Sequence, residues 1–584
     1  MLGGRNPLVL RGSVAAAVAA VCLFGWLTAR ATPSGVPSAA SIVPPLVAVS
    51  LALVSGRMLW SLAAAVLIGG WLSAAGEGHH LIASLAEGSL RGGRFIARTL
   101  YDTDSRELGL ANVNADNLQI LVYVILIMAM ISVMLAAGGL QGVANWLIGY
   151  ARSPRATRLV TAAAGLIVFI DDYANTMIVG STLRPATDRQ RISREKLAFL
   201  VDATAAPVAG VAVLSTWIGV EVGLLSEIAA SLSIPQDGYS LFFNALGFRF
   251  YCLGMIVFVF LNAATGADFG PMARAEDRAR RLGKLLDDGA TPLTSRSLAA
   301  AEPHPPANAR AAVALLPMVV LLAAFLASLW VRGGGAMLRS DPFALVRLSG
   351  WQAVLSKVNS IPLLALASGF GLVTAAATAR FLGRIPLAAL FRAVWSGALS
   401  ARMPVTVLIL AWSLKGACDD LQTGVFLADA LGDSLPRQAF PALVFLVAAV
   451  TSFATGTSWG TMAILIPTAI PVAFQLDGQT YGLITTVSIA AILDGSIFGD
   501  HCSPISDTTI MSSTASACDH LAHVRTQMPY SLTVAAIALA VGYLPAALAV
   551  PTWAVLPAGA MALCLLFLAL RALDGQRQPT DKER

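Results

Sequence analysis

Phe169-Ile-Asp-Asp-Tyr-Ala-Asn-Thr176 lies in the middle of an apolar run from 159 to 183, with Arg152, Arg155 and Arg158 before it and Arg184, Arg189, Arg191, Arg194 and Lys196 after it. Lys and Arg accumulate on the cytoplasmic side of membrane proteins, so both ends of the run belong on that side. Its 25 residues are too few for two crossings at about 20 residues each. Two aspartates, an asparagine and a threonine would not face lipid. The run is therefore predicted to be a re-entrant hairpin that enters and returns on the cytoplasmic side, its polar tip against protein or water.

The rest of the chain supports a membrane setting. Of 584 residues, 57% are hydrophobic and 12% charged, against about 25% charged in soluble domains, which excludes a soluble enzyme with an anchor. The formal charge of +6 falls between apolar runs and reads as topology. No basic stripe interleaved with aromatics suggests nucleic acid. Six cysteines without a CxxC indicate neither a disulfide framework nor a zinc knuckle. Apolar runs of about spanning length occur at 42–56, 58–75, 118–140, 197–223, 241–262, 310–331, 359–379, 403–418, 481–500, 529–549 and 552–572. The stretch 440–475 is too long for one span, lacks Lys and Arg, and has Thr455-Gly-Thr-Ser-Trp-Gly-Thr461 at its middle. It reads as a second hairpin, entering from outside.

Residues 1–31 carry Arg5 and Arg11, an apolar stretch from Val14 to Leu27, and Ala29-Arg-Ala31. They fit a signal peptide cleaved before Thr32 or an extra N-terminal helix. With the mature start outside, eleven crossings and two hairpins put the basic 263–309 linker and the 573–584 tail in the cytoplasm. The loop 76–117 then lies outside despite its four arginines, which acids such as Glu87 and Asp116 offset.

The linker divides the chain into halves, 42–262 and 310–572. Each holds a hairpin with a polar tip followed by a broken apolar segment, Val201-Asp-Ala-Thr-Ala-Ala-Pro207 in the first and Leu493-Asp-Gly-Ser-Ile-Phe-Gly-Asp-His-Cys-Ser-Pro504 in the second. Hairpins entering from opposite sides make the repeat inverted, as in many secondary transporters. The fold class is all-α and polytopic. A charge at mid-bilayer is costly, so intramembrane acids mark ion paths. The candidates are Asp171, Asp172, Asp202, Asp494, Asp500 and Asp507, with Asp202 and Asp494 at matching positions and without a sequence-near base. Some acids could instead cap half-helices. The hydroxyls of Thr204, Thr455, Thr457, Ser458, Ser496, Ser503 and Thr508, with Asn175 and Thr176, suit a hard cation. His501 is a proton relay or a hydrogen-bonded histidine at a helix break. Lys415 with Asp419 and Asp420 is a snorkelling pair or part of the pathway. Glu221 and Glu227 read as interfacial. The GxGD of intramembrane aspartyl proteases would need glycine at 498, where Phe498 stands.

Phe169-IDDYANTMIVGSTLRP-Ala186, Ile192-SREKLAFLVDATAAPVAGVAVLSTWIG-Val220, Phe453-ATGTSWGTMAILIP-Thr468, Phe498-GDHCSPISDTT-Ile510 and Cys518-DHLAHVRTQMP-Tyr530 resemble the NhaC-type sodium/proton antiporter family of the ion-transporter superfamily, over roughly 42–550. The resemblance implies exchange of Na+ for H+, no cofactor beyond these transported ions, no catalysis, and a homodimer whose moving transport domain contains both hairpins. Some relatives look like malate/lactate exchangers or amino-acid carriers. The signal-like start, the 76–117 loop and Lys415 depart from the family pattern.

The expected mechanism is alternating access of elevator type in a bacterial cytoplasmic membrane. Na+ and H+ compete for carboxylates, chiefly Asp202 and Asp494 with Asp171, Asp172 and Asp500, and Asn175, Thr176, Thr457 and Ser458 complete the shell. Na+ itself is expected at Asp202, Asp494, Asn175, Thr457 and Ser458. A coupled carrier of an organic acid or amino acid would use the same tips to hold a carboxylate, and a passive cation channel is the reading from another class.

Overall fold

The computed structural model describes residues 20–577 except 33–35, 56, 78–79, 102–112, 293–308, 335–340, 342, 345–346, 356 and 433–435. Arg5, Arg11, the acids Asp102, Asp104 and Glu107, the last part of the linker and most of the tail lie outside the described residues. Among the described residues the chain is helical and carries no strand. Among the described residues eleven helices are long and apolar enough to cross a membrane, but they are not the eleven runs read from the sequence.

The 197–223 run is three pieces, Arg194–Asp202, Ala206–Ala209 and Thr216–Ser231. Pro207 has no backbone N–H to continue the helix. The limbs of the second hairpin, Arg437–Thr455 and Ser458–Leu476, each reach spanning length instead. The 42–56 run forms only the 13-residue helix Val43–Ser55. Part of the predicted 76–117 loop is an amphipathic helix, Leu81–Arg98. It packs on Met58–Gly76 where a Cβ on Gly70 would stand 2.4 Å from Gly88 O and one on Gly88 2.4 Å from Trp71 Cα. Arg91 is bonded to Ser73 and Glu77 there. In the linker, the helix Gly270–Leu282 is docked rather than free: Glu276 accepts from Ser193 N–H at 2.8 Å, and Arg278 reaches Glu195 at 2.9 Å.

The site is carried by ten helices: α1 Pro154–Ile167, α2 Asp172–Arg189, α3 Arg194–Asp202, α4 Thr216–Ser231, α5 Phe250–Thr265, α6 Phe440–Thr455, α7 Ser458–Leu476, α8 Leu483–Cys502, α9 Asp507–Ala515 and α10 His520–Ile537. Many starts are marked in the sequence by a capping residue whose side chain takes up a free N–H. Asp171 accepts from Ala174 N–H at 2.8 Å, Ser215 from Ile218 at 3.4 Å, Thr457 from Gly460 at 3.3 Å, and Asp519 from Ala522 at 2.8 Å. The second hairpin turns on Gly456 at φ +67°, where a Cβ would stand 2.8 Å from Ile505 O, so only glycine suits this tip. Gly495 and Gly499, four apart on α8, let it approach α6 closely: a Cβ at either would be 2.4 Å from a carbonyl, of Phe445 and Ala449 respectively.

Candidate functional site

The two hairpin tips meet. Between them lies a cavity of 120 Å³ lined by Asp172, Tyr173 and Trp217 from the first half and by Thr457, Ser458, Asp500, Asp507 and Thr508 from the second, among others. One ordered water needs about 10–15 Å³, so there is room for a small ion and some of its hydration. The N-termini of α2, α4, α7 and α9 converge here, each bringing free N–H groups and the positive end of its dipole.

Asp500 Oδ2 accepts from Ser458 Oγ at 2.8 Å and Thr508 Oγ1 at 3.3 Å, which joins the second tip to the α8–α9 break. Asp171, the α2 cap, accepts from Thr216 Oγ1 at 3.1 Å. Asp172 is 2% exposed, and its Oδ1 has no hydrogen-bond partner. Among the described residues no Lys or Arg lines the cavity. Two buried acids, Asp172 and Asp500, thus line an oxygen-rich space together with the exposed Asp507 and, among the described residues, without a fixed base, and this arrangement needs a mobile cation or protons. Among the described residues no three His, Cys, Asp or Glu side chains gather as a metal cluster, so any cation here would be held by few carboxylates supplemented by hydroxyls and carbonyls, donors that suit a hard ion.

Asp202 stands apart from the cavity lining. At the end of α3 it accepts from Gln527 Nε2 at 2.6 Å and Ser512 Oγ at 3.1 Å, and His523 Nε2 lies 3.2 Å away. The Gln527 amide also donates to His501 O, and His501 Nδ1 is 2.8 Å from Tyr251 OH. Nε2 of His501 and Nδ1 of His523 are buried without partners. The His523 imidazole therefore adjoins the acid, and His501 is tied to it through its backbone carbonyl and the shared Gln527 amide. His523 and Gln527 were not singled out in the sequence, although they lie within the quoted 518–530 string. The signal was available: His523, Gln527 and Ser531 recur every four residues and so share one face of a helix.

Asp494 corrects the largest sequence expectation. α8 is unbroken until Cys502, so the helix break falls nine residues beyond the start of the quoted string, and Asp494 does not match Asp202. Nor does it lack a base. Arg249 Nε donates to it at 2.7 Å, as do Tyr251 N–H and Tyr543 OH, with Cys252 N–H at 3.4 Å. The partners are distant in sequence, which is why sequence proximity missed them. Asn175 is likewise a brace: its Nδ2 donates to Gly165 O, Val168 O and Thr204 O at 2.8–3.2 Å, closing the first tip onto the α3 break. The hydroxyls of Thr176, Thr455 and Ser496 turn back to carbonyls of their own helices, and that of Thr204 to Leu200 O in the preceding α3. Ser503 accepts from Ile505 N–H at 3.3 Å. Of the five residues expected to hold Na+, only Thr457 and Ser458 line the cavity. Glu221 is buried rather than interfacial, and Glu227 accepts from Asn117 at 3.3 Å. Lys415 is 1% exposed and bonded to Asp419.

The comparisons extend the reading. An uncharacterized protein of Haemophilus influenzae is 28% identical over 535 residues, covering 91% of this chain and 95% of that one. The malate-2H+/Na+-lactate antiporter of Bacillus subtilis is 38% identical over 87 residues, 15% of this chain and 18% of its own. The YdaH transporter of Alcanivorax borkumensis aligns over 79% of this chain and 85% of its own at 15% identity and a TM-score of 0.41, a likeness too loose to carry an argument. The sequence profile of the Na+/H+ antiporter family matches residues 208–548. That span takes in the second hairpin, α8 and its break, and the His523–Gln527 face, and it is more than half of the chain: this protein belongs to the Na+/H+ antiporter family of membrane transporters.

Proposed function

We propose that the chain exchanges Na+ for H+ across a bacterial cytoplasmic membrane, and that both ions use the carboxylates between the hairpin tips. The observation that carries this reading is the cavity itself, where Asp172 and Asp500 stand with Ser458, Thr457 and Thr508 and, among the described residues, no lysine or arginine. A sodium ion binds the deprotonated site. Protons displace it as pH falls. If the empty, negatively charged site cannot cross the membrane, every sodium carried one way requires protons carried back, because an uncompensated intramembrane charge is costly. Asp171, held by Thr216, keeps the first tip in place, and the Asp202–His523 pair behind the tips gives protons a route to the second break. Alternating access then moves the hairpin pair relative to the remaining helices, elevator-fashion, within a homodimer.

Four converging helix N-termini and the name of the Bacillus relative support a second reading, in which a small organic carboxylate occupies the same cavity. Proteoliposomes distinguish the two. Sodium-driven proton flux without added organic acid, lost in Asp172→Asn and Asp500→Asn, supports the first. Flux that appears only with malate or lactate supports the second and overturns the first.

A further inference from the structure

A second acidic centre lies away from the tips. Glu221 on α4 is fully buried, and neither of its carboxyl oxygens has a hydrogen-bond partner. Its nearest charged group is Arg249, whose NH1 is 3.5 Å from Oε1 and also makes no hydrogen bond. Arg249 is committed elsewhere, since its Nε donates to Asp494 at 2.7 Å. Asp494 is held as a carboxylate by four donors: Arg249, the N–H groups of Tyr251 and Cys252 at the start of α5, and the Tyr543 hydroxyl. One arginine and one satisfied aspartate already balance. A charged Glu221 would leave a net negative charge, buried and without a hydrogen bond, the arrangement that protein interiors avoid.

The other groups around α4 leave that balance unchanged. Tyr239 donates to Val213 O and Tyr123, on the helix Ala115–Ala136, to Ser215 O. Lys415, on the helix Arg402–Asp420, is bonded to Asp419, and α7 carries no ionisable side chain. Glu227, two turns along α4, accepts from Asn117. Cys252 is 3.8 Å from Arg249 NH2 and adds no charge as a thiol.

We propose that Glu221 is a second proton-binding site of the transporter, one that sodium does not share, and that it carries a proton while Arg249 is engaged by Asp494. The guanidinium 3.5 Å away repels a metal cation but tolerates a neutral acid. The site is placed to communicate with the tips. α4 begins with Thr216, which holds Asp171, and with Trp217, which lines the cavity; α8 carries both Asp494 and Asp500. Loss of the Glu221 proton would offer Arg249 a second carboxylate and loosen its hold on α8. This deepens the sodium–proton reading by adding a proton carried apart from the cation, yet the protonation itself is measurable without transport.

The test is infrared spectroscopy of the purified full-length protein, titrated with pH and with NaCl, on wild type, Glu221→Gln, Glu221→Asp and Asp172→Asn. The expected result is a protonated-carboxyl band at neutral pH that is absent in Glu221→Gln, displaced in Glu221→Asp, retained in Asp172→Asn, and insensitive to sodium. In liposomes Glu221→Gln should keep the apparent sodium affinity and shift the pH dependence of the rate. An identical band in wild type and Glu221→Gln, or a Glu221 band removed by sodium, overturns the proposal. If Glu221→Gln does not fold, the wild-type sodium titration and the Glu221→Asp displacement decide. Absence of any sodium-driven proton flux in wild type would instead sink the exchange reading and leave the infrared result standing.

Discussion

Asp172 and Asp494 are the same residue type and are equally removed from solvent, at 2% and 0% exposure, yet their surroundings differ in kind. Asp494 meets a guanidinium, a phenol and two helix N–H groups, all with geometry that satisfies it as a fixed anion. Asp172 has an oxygen with no partner, other acids around it, and a cavity in front of it. A buried charge without a protein partner must find one from solution or be neutralised by a proton. The comparison teaches that depth in the membrane does not identify an ion site. What separates the two acids is the presence or absence of a built-in counter-charge.

Substitutions can break this comparison. The largest effect expected is on stability at the satisfied acid: Asp494→Asn takes from Arg249 its hydrogen-bonded anion, leaving only Glu221 at 3.5 Å, and should cost up to about 3–5 kcal/mol, read as a lowered thermal midpoint and poor recovery of folded protein. Asp172→Asn and Asp500→Asn should do the reverse. Both should purify as folded protein, and sodium-driven proton flux in liposomes should fall by more than about a hundredfold, equivalent to about 3 kcal/mol lost from an interaction with the ion. If Asp494→Asn proves stable and dead while Asp172→Asn proves active, the two centres have been assigned the wrong way round.

Smaller changes sharpen the picture. Gly456→Ala forces a side chain into a left-handed turn, costing about 1–2 kcal/mol, and drives a Cβ against the Ile505 backbone. It should lower transport by displacing the second tip, while α6 and α7 keep their helical signal. His523→Ala removes a neighbour of Asp202 rather than a group lining the cavity. It should slow exchange about tenfold, the lower range for loss of a supporting partner, and alter the pH profile more than the apparent sodium affinity. Asp277→Asn breaks an exposed ion pair with Arg281 and should change stability by less than about 1 kcal/mol and transport not at all.

Much of the architecture was legible because it is written locally. Arginines on both sides of 159–183 and the polar strings at 169–176 and 455–461 marked the two tips, and Ser, Thr or Asp stands at the helix starts that follow. Asp171, Asp172, Asp500, Asp507, Thr457, Ser458 and Thr508 were all singled out, and the structure brings the last six to one cavity. What failed was everything that depends on partners far along the chain. Arg249 lies 245 positions from Asp494, and His523 lies 321 from Asp202, so no spacing rule links them. The matching of Asp494 with Asp202 assumed that a glycine and a serine after an acid break a helix. In α8 those glycines serve close packing against α6, and the helix runs on until Ser503 and Pro504.

The most direct test of the account is sodium-induced proton release from purified protein in weakly buffered detergent solution, comparing wild type with Asp172→Asn and Asp500→Asn. If sodium and protons share the carboxylates between the tips, adding sodium acidifies the wild-type solution, and the release is abolished in both variants although they remain folded. Undiminished release from the two folded variants would place the shared site elsewhere and contradict the claim.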